Sequence, residues 1–297
     1  MSDFHAVRLT GIGGSDAPAA LGVSRFKTPL ELYLEKRGEL TDVKDSPEMR
    51  WGKRLQAPVL HAFQERFPDA TVRTYNDSEV LRNPAYPWML AHLDAEIHGA
   101  VVEAKTTRSA DGWGEDGSSE APADPIVQVH HQMLVRDVQL AYIPVLIAGS
   151  DFRIIEVPFD VELGEMIKAA ESELWAKVQA GTPPEPRTLA DANLLYRHAR
   201  PNALEATPEL LDTWQALLAD RRNFAEAASA VECAETAIKL AMRDCDMLTY
   251  QGKVLCTWKN SKPVMQLDIK RLREEEPVFA SRYEFERPGP RRFLVKD

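Results

Sequence analysis

The chain has few cysteines, no long apolar run and a deficit of positive charge. Its three cysteines, Cys233, Cys245 and Cys256, are odd in number and lack a close Cys-x-x-Cys spacing. This usage fits a reducing cytosol and argues against a zinc or iron–sulfur site. The sequence has no N-terminal apolar run and no stretch of about 18 apolar residues, so we expect neither a signal peptide nor a membrane span. These absences predict a cytoplasmic protein without a membrane partner.

Acidic side chains outnumber basic ones, 46 to 36, which gives a formal net charge of −10. Non-specific DNA affinity comes from Lys and Arg that neutralise phosphates, so the balance argues against a generic nucleic-acid coat protein. It remains compatible with an enzyme that binds DNA in a locally basic groove and holds a metal with carboxylates. At 297 residues with 44% hydrophobic content, the chain can hold a mixed domain of about 150 to 200 residues with an appendage.

The most informative pattern is a predicted hairpin that turns at His98-Gly99. Apolar and polar residues alternate on both sides of this turn, as in half-buried strands. Glu103 and Lys105 are two apart, so their side chains leave the same face of the second strand. Asp94, on the neighbouring strand, can lie beside them. Two close carboxylates repel each other, and a divalent cation with oxygen ligands, such as Mg²⁺, relieves that repulsion.

A second pattern lies near the N-terminus. A glycine-rich turn from Arg8 to Asp16 leads into a short helix of small residues, with Ser15 or Asp16 as its N-cap and Pro18 in its first turn. A helix start that offers free amides, a hydroxyl and a nearby arginine can hold a phosphate. A plain capped helix start explains the same residues equally well.

These motifs carry a family resemblance. Asp94 followed by Glu103-x-Lys105 resembles the active-site signature of the PD-(D/E)xK nuclease superfamily, with Leu93 in place of the usual proline. Three N-terminal segments are similar to the opening of the YqaJ viral recombinase family: Gly11-Ile-Gly-Gly-Ser-Asp, Leu21-Gly22-Val-Ser24-Arg-Phe-Lys27-Thr28-Pro29 and Leu32-Tyr33-Leu-Glu-Lys36-x-Gly38. That family groups with the lambda-type exonucleases inside the same superfamily.

The resemblance implies an α/β (α+β) restriction-endonuclease-like core, in which a central mixed sheet of about five strands is flanked by helices. It implies a catalytic set of Asp94, Glu103 and Lys105. Both carboxylates and the Ala104 carbonyl would hold Mg²⁺, with Mn²⁺ as a substitute. Lys105 would position the attacking water and stabilise the negative charge that develops at phosphorus.

Five further residues are assigned by motif position. Arg8 and Ser15 match the arginine and serine that hold the terminal 5′-phosphate in lambda-type enzymes. Gln128 and Gln132, one helical turn apart, match a Gln-x-x-x-Gln element that lies against the metal site in this family. We therefore expect them to contact either the metal ligands or DNA. Gln56 stands where related sequences carry a glutamate. Its carbonyl oxygen lacks the charge that supports a second cation, so either the site runs with one metal or activity is reduced.

The chain is predicted to divide at a proline-rich hinge. Residues 1–182 would form the nuclease core, with late strands at 141–148 and 152–159, and residues 183–297 a C-terminal helical and small β region. Within this C-terminal region, for which we expect a helical hairpin, residues 208–247 form a long helical pattern whose apolar spacing suits packing on a partner helix or subunit.

Together these features indicate a Mg²⁺-dependent deoxyribonuclease that acts in recombination. Similarity to the lambda-type enzymes implies a phage-type 5′–3′ exonuclease on the ends of linear double-stranded DNA, a single-strand annealing protein as partner and a homo-oligomeric, trimeric ring. Two alternatives remain open. One is an endonuclease or single-strand nuclease on the same core, which a test of 5′-phosphate preference would separate. The other is a DNA-binding or recombination accessory protein whose chemistry is weakened by Gln56.

Overall fold

Helices and strands alternate along the chain in a mixed α/β order. The computed structural model describes residues 3–40, 46–76, 79–199, 201–285 and 292–295. A 3₁₀ turn at Gly14–Asp16 precedes the second helix. The helices are α1 Asp3–Arg8, α2 Ala17–Leu21, α3 Pro29–Lys36, α4 Pro47–Arg66, α5 Ala123–Arg136, α6 Val161–Ala180, α7 Leu189–Leu195, α8 Pro208–Met242, α9 Ile269–Glu275 and α10 Pro277–Ser281. The strands are β1 Ile12–Gly13, β2 Arg73–Thr74, β3 Leu81–Arg82, β4 Met89–Ala91, β5 Ala95–Ile97, β6 Ala100–Val102, β7 Lys105–Thr107, β8 Leu140–Ile147, β9 Asp151–Pro158, β10 Met247–Tyr250 and β11 Lys253–Thr257.

The largest sheet has six strands, one more than the five or so expected. Its path is β2-β5-β6-β8-β7, with β9 paired to β8. Strands β5 and β6 form the predicted antiparallel hairpin, with Ile97 opposite Ala100. His98 and Gly99 have φ angles of 49° and 78°, which suit the two-residue turn of a twisted hairpin. Strand β8 runs parallel to β6 and β7 but antiparallel to β9, so the sheet is mixed.

Helices cover both faces of this sheet, because successive residues of a strand point to opposite sides. On one face, Val101 and Ile143 pack in a cluster with Met133 of α5. On the other face, Val102 packs in a cluster with Phe63 of α4. The predicted core, a central mixed sheet flanked by helices, is therefore confirmed, and its topology positions the residues after β6 between α4 and α5.

The chain forms two compact units, Met1–Leu195 and Tyr196–Asp297, each with most of its contacts within itself. Helix α7 follows the predicted hinge at residue 182 and lies within the first unit. There Thr28 Oγ1 donates a hydrogen bond of 2.6 Å to Asp191 Oδ1. In the part of the chain that the structure describes, no helix is both long enough and apolar enough to cross a membrane.

The long helical pattern predicted over 208–247 is confirmed as one helix, which does not fold back on itself as a hairpin. Helix α8 runs without a break for 35 residues, from Pro208 to Met242. Thr207 caps its start by accepting a hydrogen bond from the Leu210 amide. Neither glycine nor proline occurs after Pro208 within the helix, so the chain lacks the residues that usually reverse its direction. The predicted small β unit is present as the antiparallel pair β10 and β11.

Candidate active site

The β5–β6 hairpin brings the two predicted carboxylates to the same end of the sheet. Ala95 pairs with Val102, so Asp94 and Glu103, the next residues outward on each strand, lie side by side. The Ala104 amide donates a hydrogen bond of 2.8 Å to Asp94 Oδ2. This contact ties the two strand ends together just beyond the last ladder pair.

Lys105 joins the same group of side chains. Its Nζ donates a hydrogen bond of 2.8 Å to Glu103 Oε1, as expected for residues two apart on one strand face. Segments β6 and β7 pair with β8 in one continuous register, with Val102 opposite Tyr142 and Lys105 opposite Val145. The extended backbone across residues 103 and 104 therefore keeps the carboxylate and the ammonium together.

The Asp94 carboxylate is electrostatically strained. Burial, and then the negative charge of Glu103, raises the pKa of Asp94 to about 8, although Lys105 and the Ala104 amide act in the opposite direction. The carboxylates and the Ala104 carbonyl are the hard oxygen donors that Mg²⁺ prefers. A divalent cation would relieve the repulsion that raises this pKa, so the donor set fits the predicted ion. Across the described ranges, no group of three or more His, Cys, Asp or Glu side chains converges.

Gln56 occupies the place where a third carboxylate would stand. It projects from α4, and its Nε2 donates a hydrogen bond of 2.8 Å to Asp94 Oδ1. The resemblance predicted that this position faces the metal site, and the amide does contact Asp94. A glutamine in this place adds a hydrogen-bond donor to the carboxylate and no negative charge.

Two glutamines of α5 hold the other carboxylate. Gln128 bridges Glu103 and Lys105, because its Nε2 donates to Glu103 Oε1 at 2.6 Å and its Oε1 accepts from Lys105 Nζ at 2.8 Å. Gln132 Nε2 donates to Glu103 Oε2 at 2.6 Å. Both oxygens of Glu103 are therefore bound by side chains one helical turn apart on α5. These bonds fix the orientation of the carboxylate toward its neighbours.

The glycine-rich turn packs directly on those glutamines. A Cβ on Gly14 would lie 3.2 Å from Gln132 Cγ and 3.4 Å from Gln128 Cγ. Gly11 is confined more tightly still, because a Cβ there would lie 2.2 Å from the Trp88 carbonyl oxygen. Glycines at these two positions let the turn approach both α5 and the chain before β4. The turn and the carboxylates are thereby placed in one neighbourhood.

One cavity of about 190 Å³ joins the two motifs. Arg8 and Ser15 line it together with Asp94 and Glu103. Gln128 and Gln132 form another part of its wall. Arg8 and Ser15, predicted to hold a 5′-phosphate, thus face the same space as the two carboxylates predicted to hold a metal. The two pairs lie almost 90 residues apart in the sequence.

Comparison with known proteins decides the family. A model of the YqaJ-like viral recombinase domain matches residues 3–139. The YqaJ protein of Bacillus subtilis (strain 168) is 33% identical over 283 residues, which make up 91% of this chain and 86% of that protein. The chain belongs to the YqaJ family. The family predicted from the motifs is therefore confirmed.

Two solved structures resemble this YqaJ-family chain more distantly. One is LHK-Exo in complex with dAMP, an alkaline exonuclease from Laribacter hongkongensis. It has a TM-score of 0.47 and 13% identity, over 61% of this chain and 94% of that chain. The other is a phage-related exonuclease from Haemophilus somnus 129PT. It has a TM-score of 0.40 and 10% identity, over 58% of this chain and 96% of that chain.

A buried ion pair behind the glycine-rich turn escaped the sequence analysis. Lys36 Nζ lies 2.7 Å from Asp16 Oδ2, and each side chain is only 1% exposed. Arg8 Nη2 lies 3.2 Å from Asp16 Oδ1. Asp16 is the N-cap residue of α2, as one of the two expected candidates, but its side chain makes no capping hydrogen bond. Its carboxylate faces these cations and the Gly13 amide instead.

The charges around Asp16 determine its protonation state. Burial alone would raise the pKa of this carboxyl, but Lys36, Arg8 and Lys27 hold it far below its usual range. Asp16 therefore stays ionised and orients Arg8 at the edge of the cavity. One feature of the sequence pointed to Lys36, because this residue belongs to a segment that matches the opening of the YqaJ family. The helical apolar spacing gave no indication that a lysine would be buried.

A second buried pair lies beneath α5. His131 Nδ1 and Glu171 Oε1 are 2.7 Å apart, and His131 Nε2 lies 2.7 Å from the Leu90 carbonyl oxygen. Both side chains are fully buried. The pair links α5 to α6 and to β4, one residue from Gln132. The pair therefore fixes the distance between α5 and the sheet. The hydrogen bonds from Gln128 and Gln132 to Glu103 depend on that distance.

Proposed function

We propose that this YqaJ-family protein is a Mg²⁺-dependent nuclease that digests linear double-stranded DNA from its 5′ ends during recombination. The observation that supports this most directly is the shared cavity, where Arg8 and Ser15 face the same space as Asp94 and Glu103. A chain end held by its phosphate at the first pair would present its backbone to the second pair. Family membership supports the link to viral recombination.

Each side chain of the site has its own role in phosphodiester hydrolysis. When bound by Asp94, Glu103 and the Ala104 carbonyl, Mg²⁺ supplies polarisation of the phosphoryl oxygen and a lower pKa for a nearby water. Lys105 holds the attacking water and stabilises the negative charge that develops at phosphorus. Gln128 keeps the Lys105 ammonium beside Glu103 through its two hydrogen bonds. Gln132 holds the second oxygen of Glu103.

The proposed polarity follows from what binds the end of the strand. Water oxygen bonds to phosphorus, the bond from phosphorus to the 3′ oxygen breaks, and that oxygen takes up a proton. The released product is a nucleoside 5′-monophosphate, and the shortened strand carries a new 5′-phosphate. Arg8 and Ser15 would bind this phosphate in turn, since a guanidinium and a hydroxyl suit its oxygens. Repeated cleavage in the 5′–3′ direction is the consequence.

A second candidate function is a DNA-binding accessory protein with weakened chemistry. The Gln56 amide donates to Asp94 Oδ1, an oxygen that a metal would use. The amide would have to turn before its own oxygen could face a cation. This candidate predicts DNA binding that survives chelation and no turnover in Mg²⁺ or Mn²⁺. An endonuclease or single-strand nuclease on the same core instead predicts turnover that is independent of a 5′-phosphate.

A digestion time course separates these candidates. Linear duplexes with 5′-phosphate or 5′-hydroxyl ends are incubated in Mg²⁺, Mn²⁺ or EDTA, and single nucleotides are measured. The exonuclease proposal expects metal-dependent release of 5′-monophosphates, faster from phosphorylated ends and abolished by Lys105→Ala. Lys168→Ala is the matched control, because Lys168 pairs with Glu165 on the surface of α6. Equal rates on both ends, or cleavage of closed circular DNA, would favour an endonuclease.

Assembly and partners form the remaining part of the proposal. Similarity to lambda-type enzymes supports a ring of three subunits around the DNA and a phage annealing protein that receives the 3′ single strand. The predicted cytoplasmic location agrees with a partner that acts on DNA inside the cell. Sedimentation of the protein with and without duplex DNA would test the ring directly.

A further inference from the structure

A regular stripe of residues follows one side of α8. Its members recur at alternating intervals of four and three residues, the spacing of the contact line in a coiled coil. Seven of the nine positions are apolar, and the helix is about 52 Å long at 1.5 Å per residue. We call this stripe the α8 seam; its residues are Leu210, Trp214, Leu217, Arg221, Phe224, Ala228, Val231, Glu235 and Ile238.

The α8 seam is not covered within its own unit. Phe224 is 76% exposed and Val231 is 59% exposed, and only two apolar residues among those described in Tyr196–Asp297, Met242 and Ala280, are buried. Met242 ends the seam because it is buried near Cys256, with their sulfur atoms 3.8 Å apart. An apolar line of this length is the kind of surface that a second helix covers.

The two charged seam positions define the direction in which a second copy could pair. In a parallel, in-register pair, Arg221 would face Arg221 and Glu235 would face Glu235, which is repulsive. In an antiparallel pair that places Trp214 opposite Ile238, Arg221 stands opposite Val231 and lies one layer from Glu235 of the second copy. A long guanidinium side chain can reach across one helical turn to that carboxylate.

The apolar positions are also self-complementary in the reverse direction. The same antiparallel register places Phe224 opposite Ala228, so a large side chain meets a small one in the central layers. It places Trp214 opposite Ile238 near each end. One sequence thus satisfies both sides of the contact about a single two-fold axis, the property of an isologous interface.

We propose that α8 pairs with α8 of a second copy of this chain as an antiparallel, two-stranded coiled coil. The Arg221 and Glu235 positions fix the orientation of this pair, and the Phe224 and Ala228 positions fix its register. The contact is two-fold, so it joins subunits in even numbers. It is independent of the proposed nuclease chemistry, and a ring of three subunits that also used it would become an assembly of six.

The first test is the mass of the full-length protein in solution, by light scattering or sedimentation at micromolar concentration. Two subunits, or six, are expected, and one or three would overturn the proposal. Phe224→Glu should raise the dissociation constant of the pair by at least about tenfold, because it places a charge in the central layers of the contact. Leu240→Glu is the control, because Leu240 is 71% exposed on the opposite side of α8 and its substitution should change nothing.

Charge exchange tests the orientation. Glu235 already accepts a bond of 2.8 Å from Lys239 within its own helix, so each single exchange also needs a stability control by circular dichroism. Arg221→Glu alone and Glu235→Arg alone should each weaken the pair, and the double variant should regain most of its affinity. Single exchanges that leave the affinity unchanged would overturn the antiparallel arrangement, because a parallel pair keeps like charges opposed in the natural protein and in every variant. A double variant as weak as the singles would also overturn it, because Arg221 and Glu235 would then not meet across the pair.

Disulfide trapping tests the register in a background with Cys233, Cys245 and Cys256 replaced by serine. Trp214→Cys and Ile238→Cys proteins are oxidised separately and as a mixture. Cross-linked dimers in the mixture but not in either protein alone are expected. Cross-links within each single variant would show a parallel pair and overturn the proposal, and so would the absence of cross-links in all three samples.

Discussion

The Gln56 amide donates a hydrogen bond of 2.8 Å to Asp94 Oδ1, so a neutral donor contacts the carboxylate whose charge is most strained. An amide therefore contacts Asp94 at the position where the resemblance predicts a third carboxylate. In the absence of metal, Gln56 partly offsets the repulsion between Asp94 and Glu103, because it donates a hydrogen bond to Asp94 and adds no charge. The same substitution weakens the electrostatic attraction for a second cation.

Gln56→Glu should therefore tighten Mg²⁺ binding and raise the rate of digestion by about tenfold, the scale on which residues around a metal site act. Titration calorimetry and the digestion time course measure the two effects. Gln56→Met is the matched control, since it removes the amide without adding charge and should lower both values. A glutamate variant that is slower than the natural protein, with unchanged Mg²⁺ affinity, would contradict this interpretation.

Asp94→Asn should raise the stability of the metal-free protein while it abolishes digestion. The folded-state pKa of Asp94 is raised from 3.8 to about 8, so the folded protein takes up a proton that the unfolded chain has released. Stability should fall as pH rises from about 4 to about 8, and the asparagine variant should lack this component. In EDTA at pH 8 we expect a gain of about 0.5 to 2 kcal/mol, the usual scale for relieving strain at an active site.

Urea unfolding in EDTA and in Mg²⁺ measures this effect. Mg²⁺ should stabilise the natural protein at pH 8, by mass action on the folded state, and should leave Asp94→Asn nearly unchanged. A variant that is less stable than the natural protein in EDTA at pH 8 would show that Asp94 contributes mainly through its bond to the Ala104 amide.

The parts of the site that were predictable are those that local periodicity fixes. Alternation around His98-Gly99 defines both the strand face and the register, so the proximity of Asp94, Glu103 and Lys105 followed from the sequence. The strands at 141–148 and 152–159 were recognisable as runs of β-forming, apolar residues separated by a turn, and they correspond to β8 and β9.

The parts that escaped prediction depend on distant segments of the chain. Lys36 is buried because Asp16, 20 residues away, faces it, and helical spacing alone cannot show such a partner. Gly14 must be small because α5, more than 100 residues later, packs on it. The long helical pattern over 208–247 was predictable and corresponds to α8, but its apolar spacing does not say whether the helix packs on the next segment or on another molecule.

The buried pair of Asp16 and Lys36 should behave as a unit in unfolding experiments. Asp16→Asn leaves the buried Lys36 ammonium without its carboxylate, and Lys36→Met leaves the Asp16 carboxylate with Arg8 and Lys27 as its remaining cations. Each change alone should lower the free energy of unfolding at pH 7, by up to about 3 to 5 kcal/mol. The double variant should be closer to the natural protein than either single one. The exposed pair of Glu173 and Lys177, 2.7 Å apart, is the control, and its loss should change stability by less than about 1 kcal/mol.

The same pair gives a stability component that depends on pH. Its cations hold the folded-state pKa of Asp16 far below the unfolded value, so the contribution is complete above about pH 4 and is lost as pH falls further. Urea unfolding between pH 3 and pH 7 should show this acid loss in the natural protein and in Lys177→Ala. Equal acid sensitivity in the Asp16→Asn variant would assign the loss to other carboxyl groups.

Arg8 should determine the preference for phosphorylated ends. Its guanidinium lies between Asp16 Oδ1 at 3.2 Å and Glu35 Oε1 at 3.8 Å, which aims a cation into the cavity it shares with Ser15. Loss of a charge-assisted contact is worth about 1.5 to 3 kcal/mol, so Arg8→Gln should lower kcat/KM on 5′-phosphate ends by about 10- to 100-fold. Digestion of 5′-hydroxyl ends should change little, and the ratio of the two rates should approach one. Arg37→Gln, at an exposed pair with Glu39, is the control, and an equal loss on both kinds of end would assign Arg8 to the fold rather than to the phosphate.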